Sequence, residues 1–423
     1  MSNVSFRKNL SKTIGPGLLF ASTAIGTSHL VLSTRAGAHH GMIFMGIILG
    51  VLLLKYPFYE FGTRYSIATG NSLVKAYKKQ GKLVVFLVLL VISINMFAVT
   101  GAIGAVSAGL LSTIIGIKIS TPILVGSILS LTVGILFIGD YATLDRFIKL
   151  LSVVLLITVS IAFITALLKG PVEQIPNFNP PKLLEGAGLA LLVSLIGWMP
   201  AGMEASTMNS IWVVEKIRTT NYHPTLKEGL FDFNLGFLLT IVLAIMFLII
   251  GTLTVYGSGQ LLEGNATQFS NKLIKVFTTN LGGWSFWIIA IAAFGTIYGT
   301  LITILDAFSR CFIRCIWEIR DREMEEDQKQ KKLTRNYKII LPIIGLGGFL
   351  LFYFSASSMI KILEYATILS FLTSPIIAFF NLRAITSDDI SASFYPSKKL
   401  IYLAYLGLVA NVLFAVFYVF SLV

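Results

Sequence analysis

The stretch Met199-Pro200-Ala201-Gly202-Met203-Glu204 lies inside an apolar run, residues 184–212, long enough to cross a bilayer. A distant counterpart, Gly26-Thr27-Ser28-His29, lies inside a second such run, 13–38. Proline has no backbone N–H and glycine costs about 1 kcal/mol in a helix interior, so both stretches resist helix. A break at that depth strands backbone N–H and C=O groups with no water to bond them. It survives only when buried in protein or lining a cavity. Two breaks at corresponding places in two halves of a chain point to the binding site of a carrier.

Composition agrees with a membrane setting. Of 423 residues, 55% are hydrophobic and 13% are charged, with mean hydropathy +0.82. Soluble domains carry about twice that charge, roughly 25%, so this composition cannot clothe a soluble surface. The net charge of +13 comes from Lys and Arg in the loops between apolar runs, the pattern of inside-positive topology. It calls for no nucleic-acid partner. The partners expected are the lipid bilayer and a small-molecule or ion substrate, with no obligate protein partner. Cys311 and Cys315 form a Cys-x3-Cys pair without a nearby His, which reads as packing. Arg7, Lys8 and Lys12 lead directly into a long apolar run, so no cleavable signal is expected.

Eleven spans of near ~20 apolar residues are predicted at 13–38 (broken), 42–67, 83–111, 120–138, 147–168, 184–212 (broken), 232–256, 284–312, 338–355, 359–380 and 398–422. Basic residues crowd the loops after spans 2, 4, 6, 8 and 10: Lys75, Lys78 and Lys79; Arg146 and Lys149; Lys216, Arg218 and Lys227; the cluster from Arg310 to Arg335; and Arg383, Lys398 and Lys399. This bias predicts an integral plasma (inner) membrane protein with a cytoplasmic N-terminus and an extracytoplasmic C-terminus. The hydrophilic insert 317–337 mixes both signs at helical spacing and reads as a solvated helix extension. A proline-rich connector, 171–182, divides the core into a first five-span repeat (1–170) and a second (183–380), each opening on a broken helix. The remainder, 381–423, carries an eleventh span.

An all-α membrane protein of five plus five spans with spans 1 and 6 discontinuous resembles the LeuT fold, an inverted repeat shared by many secondary transporters. The landmarks are similar to those of the Nramp metal-ion transporters over most of the chain. Gly15-Pro16-Gly17 matches the family's opening of span 1, and Arg35-Ala36-Gly37-Ala38 resembles its close. Met199-Pro200 matches the start of the family's Met-Pro-His in span 6. Gly295-Thr296-Ile297-Tyr298-Gly299-Thr300 is similar to a Gly- and Ser/Thr-rich run in span 8. The chemistry departs from the pattern. Where the family has Asp-Pro-Gly-Asn, whose Asp and Asn bind metal, this chain has Gly26-Thr27-Ser28-His29. The His after Met-Pro becomes Ala201, and an acidic pair in span 3 becomes Asn95 and Ala98. Span 9, which carries arginines in the family, is uncharged from Ile339 to Ser358. The resemblance therefore implies a divergent branch, with transport by alternating access.

Glu204 is the most informative candidate, because a carboxylate inside a span is expensive and marks a site. A structural carboxylate at a half-helix N-terminus is the alternative. His29 opens the second half of span 1, and neutral imidazole suits Mn, Fe, Ni or Zn and also titrates near neutral pH. The alternative is an imidazole satisfied by a backbone carbonyl that the break frees. Met199 aligns with the family's metal-binding Met, and a thioether favours transition metals, although Met also fills apolar space. Thr27 and Ser28 offer hydroxyls, and Gly26 and Ile196 offer freed carbonyls. With His29, Met199 and Glu204 these compose a cage for a divalent metal as substrate, with one carboxylate and hence weak or proton-linked binding. No cofactor is expected. Asn95, Thr100, Asp306, Glu364 and Thr367 are candidates for the pathway or for proton linkage. Glu60 and Arg64 read as an ion pair, Asp232 as a cap of span 7 or a gate contact, and His39 and His40 as surface or vestibule.

Two functions remain open. One is secondary transport of a divalent transition-metal ion (Mn/Fe-like) or a related small cation, proton-linked through His29 and Glu204. The other is transport of an amino acid or similar solute, its carboxylate on the Gly26-Thr27-Ser28 break and its amine on Glu204. An enzyme is not expected, since no loop holds a nucleophile elbow, a phosphate loop or a His/Cys cluster. Two opposed breaks argue against a channel, and a sensor on a carrier scaffold would bind ligand without flux.

Overall fold

Pro16 is preorganised for the first turn of a helix, where its missing N–H costs nothing, and helix α1 begins there, Pro16–Ile25. The computed structural model describes residues 12–116, 119–139, 141–260, 262, 266–320, 326–355 and 359–421. At Gly26-Thr27 α1 gives way to a wider, π-helical turn, Ser28–Ser33, that runs into α2, Thr34–His40. The two halves are bent by 42°. There follow α3 (Ile43–Thr69), α4 (Leu73–Gln80), α5 (Lys82–Ile115), α6 (Thr121–Ile138) and α7 (Tyr141–Lys169). The second half repeats the device. Its first span is α8 (Gly186–Trp198) and α9 (Ala205–Thr220), parted by the non-helical 199–204. Then come α10 (Leu226–Val255), α11 (Ala266–Leu281), α12 (Phe286–Arg320), α13 (Glu326–Phe354), α14 (Met359–Ile385) and α15 (Lys398–Phe420).

Eight helices among the described residues are long and apolar enough to cross a membrane, and the bent pair at residues 16–40 makes a ninth. The other two expected spans coincide with α7 and with the pair α8 and α9. Several helices outrun the predicted segments: α10 starts at Leu226, α12 continues to Arg320, and α13 starts at Glu326. Part of the predicted solvated extension, 321–325, lies outside the described residues. Helices α4 and α11 were not expected. Both are amphipathic, α4 burying Leu73, Val74, Ala76 and Tyr77 and α11 burying Phe269, Leu273, Ile274 and Phe277. Hydropathy counting selects segments apolar all round and passes over such stripes.

The broken span 1 lies along α10, and the contact is backbone against backbone. A Cβ on Gly17 would land on the Asp232 carbonyl, and one on Gly236 on the Gly17 carbonyl. At the far end, Gly37 meets the Leu248 carbonyl and Gly251 meets the Thr34 carbonyl. Small residues allow such approach where lipid supplies no hydrophobic drive to associate. Asp232 adds polar glue: its carboxylate accepts the N–H of Gly15 at 3.0 Å and of Gly17 at 2.7 Å. It thus caps α1 across the interface, where negative charge suits the helix dipole. The halves of the second broken span part company, α8 packing on α14 and α9 on α3. Helix α15 packs on α3, with Gly407 against the Leu54 carbonyl, and most of its surface stays outside the protein core.

Overpacking a close crossing costs about 1–3 kcal/mol. Gly236→Ala is therefore expected to lower the thermal denaturation midpoint of the detergent-purified protein. Gly46→Ala, which meets nothing within 4 Å, is expected to leave the midpoint unchanged or raise it.

Candidate functional site

Both breaks face a common cavity of about 30 Å³, lined by Thr23, Ala24, Thr27 and Ser28 from span 1 and by Trp198, Pro200, Ala201, Gly202, Glu204, Ala205 and Met208 from span 6. Val99 and Ile103 of α5 and Thr300, Ile304 and Phe308 of α12 close it. Since a water needs about 10–15 Å³ of such space, this conformation has room for two or three water-sized groups.

Glu204 is the N-cap of α9, its carbonyl accepting the N–H of Thr207 and Met208. Its side chain turns into the cavity. Oε1 accepts a hydrogen bond from Ser370 of α14 at 3.3 Å, and Oε2 is buried without a partner. The hydroxyl of Thr27 is likewise buried and unpartnered. An unpaired buried carboxylate oxygen costs several kcal/mol unless a cation or donor arrives. Met208, four residues on from Glu204, lines the same cavity, because positions i and i+4 share a helix face.

Ser28 ties the breaks together. Its hydroxyl lies within hydrogen-bonding reach of the Ala24 carbonyl, of the Pro200 carbonyl at 3.1 Å and of His29 Nδ1 at 2.6 Å. His29 is fully buried and turned toward α10. Its Nδ1 lies 2.9 Å from the Ala24 carbonyl and its Nε2 2.9 Å from the Thr240 carbonyl. Both ring nitrogens thus lie against backbone oxygen, a neutral imidazole donating to one of the two, and His29 is outside the cavity lining, the structural alternative entertained for this residue. Gly26 is also outside the lining. A Cβ there would strike Thr300, whose hydroxyl donates to the Ser22 carbonyl at 2.7 Å. Met199 is fully buried outside the lining, and its N–H donates to the Leu195 carbonyl at 2.8 Å. Of the seven residues predicted for the site, the cavity lining brings together Thr27, Ser28 and Glu204. It leaves out Gly26, His29, Ile196 and Met199.

The Ile196 carbonyl is occupied from an unexpected direction. Lys55, midway along α3 and buried, donates to the carbonyls of Ile196 at 2.6 Å, Gly197 at 2.9 Å and Ala201 at 3.4 Å. Tyr59, one turn on, donates to the Ala201 carbonyl at 2.6 Å. Two carbonyls of the last turn of α8 and one of the non-helical stretch beyond it thereby gain donors. Lysine within span 42–67 was a visible signal, since an intramembrane ammonium is by default functional.

The weaker candidates are spread over the helix interfaces. Asn95 donates to Thr373 at 3.3 Å, and Thr100 is buried beside Gly348 with an unpartnered hydroxyl. Asp306 accepts from Arg310 at 2.8 Å, from the Trp212 indole at 3.1 Å and from Tyr337 at 3.0 Å, joining α9, α12 and α13. Glu364 pairs with Arg35 of α2 at 3.2 Å. The Thr367 hydroxyl donates to the Leu363 and Glu364 carbonyls of its own helix. Glu60 and Arg64 form the expected ion pair. Asp232 caps span 1 and not span 7, and His39 and His40 are buried, His40 against Phe44. Cys311 and Cys315 are free and buried. No group of three or more His, Cys, Asp or Glu side chains is placed to hold a metal ion among the described residues.

Broken helices facing one cavity inside a helical bundle define a membrane transporter of the LeuT fold. The family described as Natural resistance-associated macrophage protein-like matches residues 17–421, and the chain belongs to this family, Nramp. An uncharacterized protein of Pasteurella multocida (strain Pm70) is 30% identical over 403 residues, covering 93% of this chain and 89% of the relative. A mutant form of the Eremococcus coleocola manganese transporter superposes with a TM-score of 0.74 at 14% identity, over 100% of this chain and 88% of that one. MhsT in complex with L-phenylalanine gives a TM-score of 0.57, also at 14% identity, over 94% and 98%.

A Cβ on Gly202 would lie 2.5 Å from the Glu204 carboxylate, a movable group. Gly202→Ala is therefore expected to fold normally while displacing that carboxylate from the cavity, to be seen as a changed Glu204 rotamer in an experimental structure of the variant.

Proposed function

We propose that the protein is a secondary carrier of a small cation, with a divalent transition-metal ion of the Mn/Fe kind as the preferred substrate, bound between the two breaks. The observation that carries this reading is Glu204 Oε2, buried and unpartnered on a cavity of about 30 Å³. One carboxylate, the Thr27 and Ser28 hydroxyls and the Met208 thioether make a mixed oxygen and sulfur set. Its thioether favours a transition metal over Mg²⁺ or Ca²⁺. Membership of a family that includes metal-ion transporters supports the same substrate class. Release follows from rocking of one bundle against the other about the breaks. The basic loops orient the carrier with its N-terminus in the cytoplasm of a plasma (inner) membrane.

Proton linkage, in this reading, rests on Glu204 alone. A carboxylate binds metal only when deprotonated, so protons and metal compete for it. A second reading, a small organic solute with its amine on Glu204, draws on the apolar wall of Val99, Ile103, Ile304 and Phe308. The cavity volume argues against it.

Proteoliposomes loaded with a metal-sensitive dye test the proposal. Mn²⁺ influx is expected with the wild type, and Glu204→Gln is expected to reduce it roughly tenfold or more, the equivalent of one lost charged interaction. Flux of amino acids without flux of any divalent ion would overturn the cation reading. Mn²⁺ affinity of the purified protein, titrated between pH 7.5 and 5.5, is expected to weaken as pH falls, by at most tenfold per unit for one competing proton. An affinity independent of pH would count against proton competition.

A further inference from the structure

Lys55 does something the cation reading does not use. An ammonium has three N–H donors, and three carbonyls, of Ile196, Gly197 and Ala201, lie within 3.4 Å of it. Its donors are thus engaged by backbone oxygen at the C-terminal end of α8, the end where the helix dipole favours positive charge. Ala201 lines the cavity, so the ammonium stands within 3.4 Å of a carbonyl of the cavity wall, yet Glu204 Oε2 has no hydrogen-bond partner. The lysine therefore satisfies the carbonyl half of the break without closing the carboxylate half.

We propose that Lys55 sets the cation preference of this site by standing as a resident monovalent cation on its carbonyl half, which keeps the affinity for divalent ions low. The inference rests on the reading that Glu204 holds a cation. An ion arriving at Glu204 finds hydroxyls and a thioether, but the Ala201 carbonyl of the cavity wall is already bonded. It also meets a like charge in a low-dielectric setting, which costs more than the same pair in water. Removing the charge gives back the missing electrostatic attraction, whether or not the carbonyls stay bonded. Binding loose enough to permit release is what a carrier or pore needs.

The test titrates the full chain in detergent with MnCl₂ by calorimetry, as wild type, Lys55→Met, Lys55→Gln and Lys55→Arg. The Met and Gln variants are expected to bind Mn²⁺ about tenfold tighter or more, since each removes a like charge held against the wall of the site. Arg keeps the charge, and its affinity is expected to stay within about twofold of wild type. Gln retains N–H donors for the carbonyls and carries the expectation alone if the Met variant does not fold. A monodisperse Met or Gln variant that binds no tighter than a Mn²⁺-binding wild type overturns the role of Lys55 and leaves the cation reading standing. Failure of all four proteins to bind Mn²⁺ overturns both.

Discussion

Everything in this molecule turns on backbone groups that a bilayer cannot solvate. Interrupting a span frees carbonyls and N–H groups, each costing several kcal/mol if left unpaired in hydrocarbon. The chain answers with side chains drawn from many helices. Ser28 reaches the Pro200 carbonyl, Lys55 takes the Ile196 and Gly197 carbonyls at the end of α8, Tyr59 takes the Ala201 carbonyl beyond it, His29 lies between the Ala24 and Thr240 carbonyls, and Thr300 takes the Ser22 carbonyl. At the breaks themselves, Glu204 Oε2 and the Thr27 hydroxyl stay unpaired, and both residues line the cavity.

The scaffold was legible because its determinants are local and repetitive. Apolar runs of bilayer length, two of them interrupted by Pro or Gly with polar neighbours, define the spans and the breaks with no knowledge of packing. The amphipathic α4 and α11 escaped because their apolar residues form stripes that a mean hydropathy averages away. The overrun of α10, α12 and α13 escaped for a related reason: charged residues end a hydrophobic span without ending a helix.

The site was legible in part. Glu204, Thr27 and Ser28 could be named from residue type and position alone, since polar groups at a break have few other uses. His29 and Met199 were drawn in by position along the chain, but the direction of a side chain around a distorted helix depends on its local winding. The π-helical turn at 28–33 and the non-helical stretch at 199–204 set that winding. Met208 faces the cavity because it follows Glu204 by four residues on regular helix, a relation that holds wherever α9 begins. Lys55 bonds backbone carbonyls 141 to 146 residues away; its identity advertised a role, and only the tertiary structure supplied the partners.

The glycines that press broken span 1 against α10 separate what holds the fold together from what gives the cavity its chemistry. Gly17 and Gly37 touch carbonyl oxygens of the neighbouring helix, so a larger residue at either place would pry the helices apart. Glu204 and Met208 line a cavity, where a substitution alters what is bound before it alters what is folded. The glycines of such a chain carry its mechanics. The chemistry of its cavity is carried by other residues.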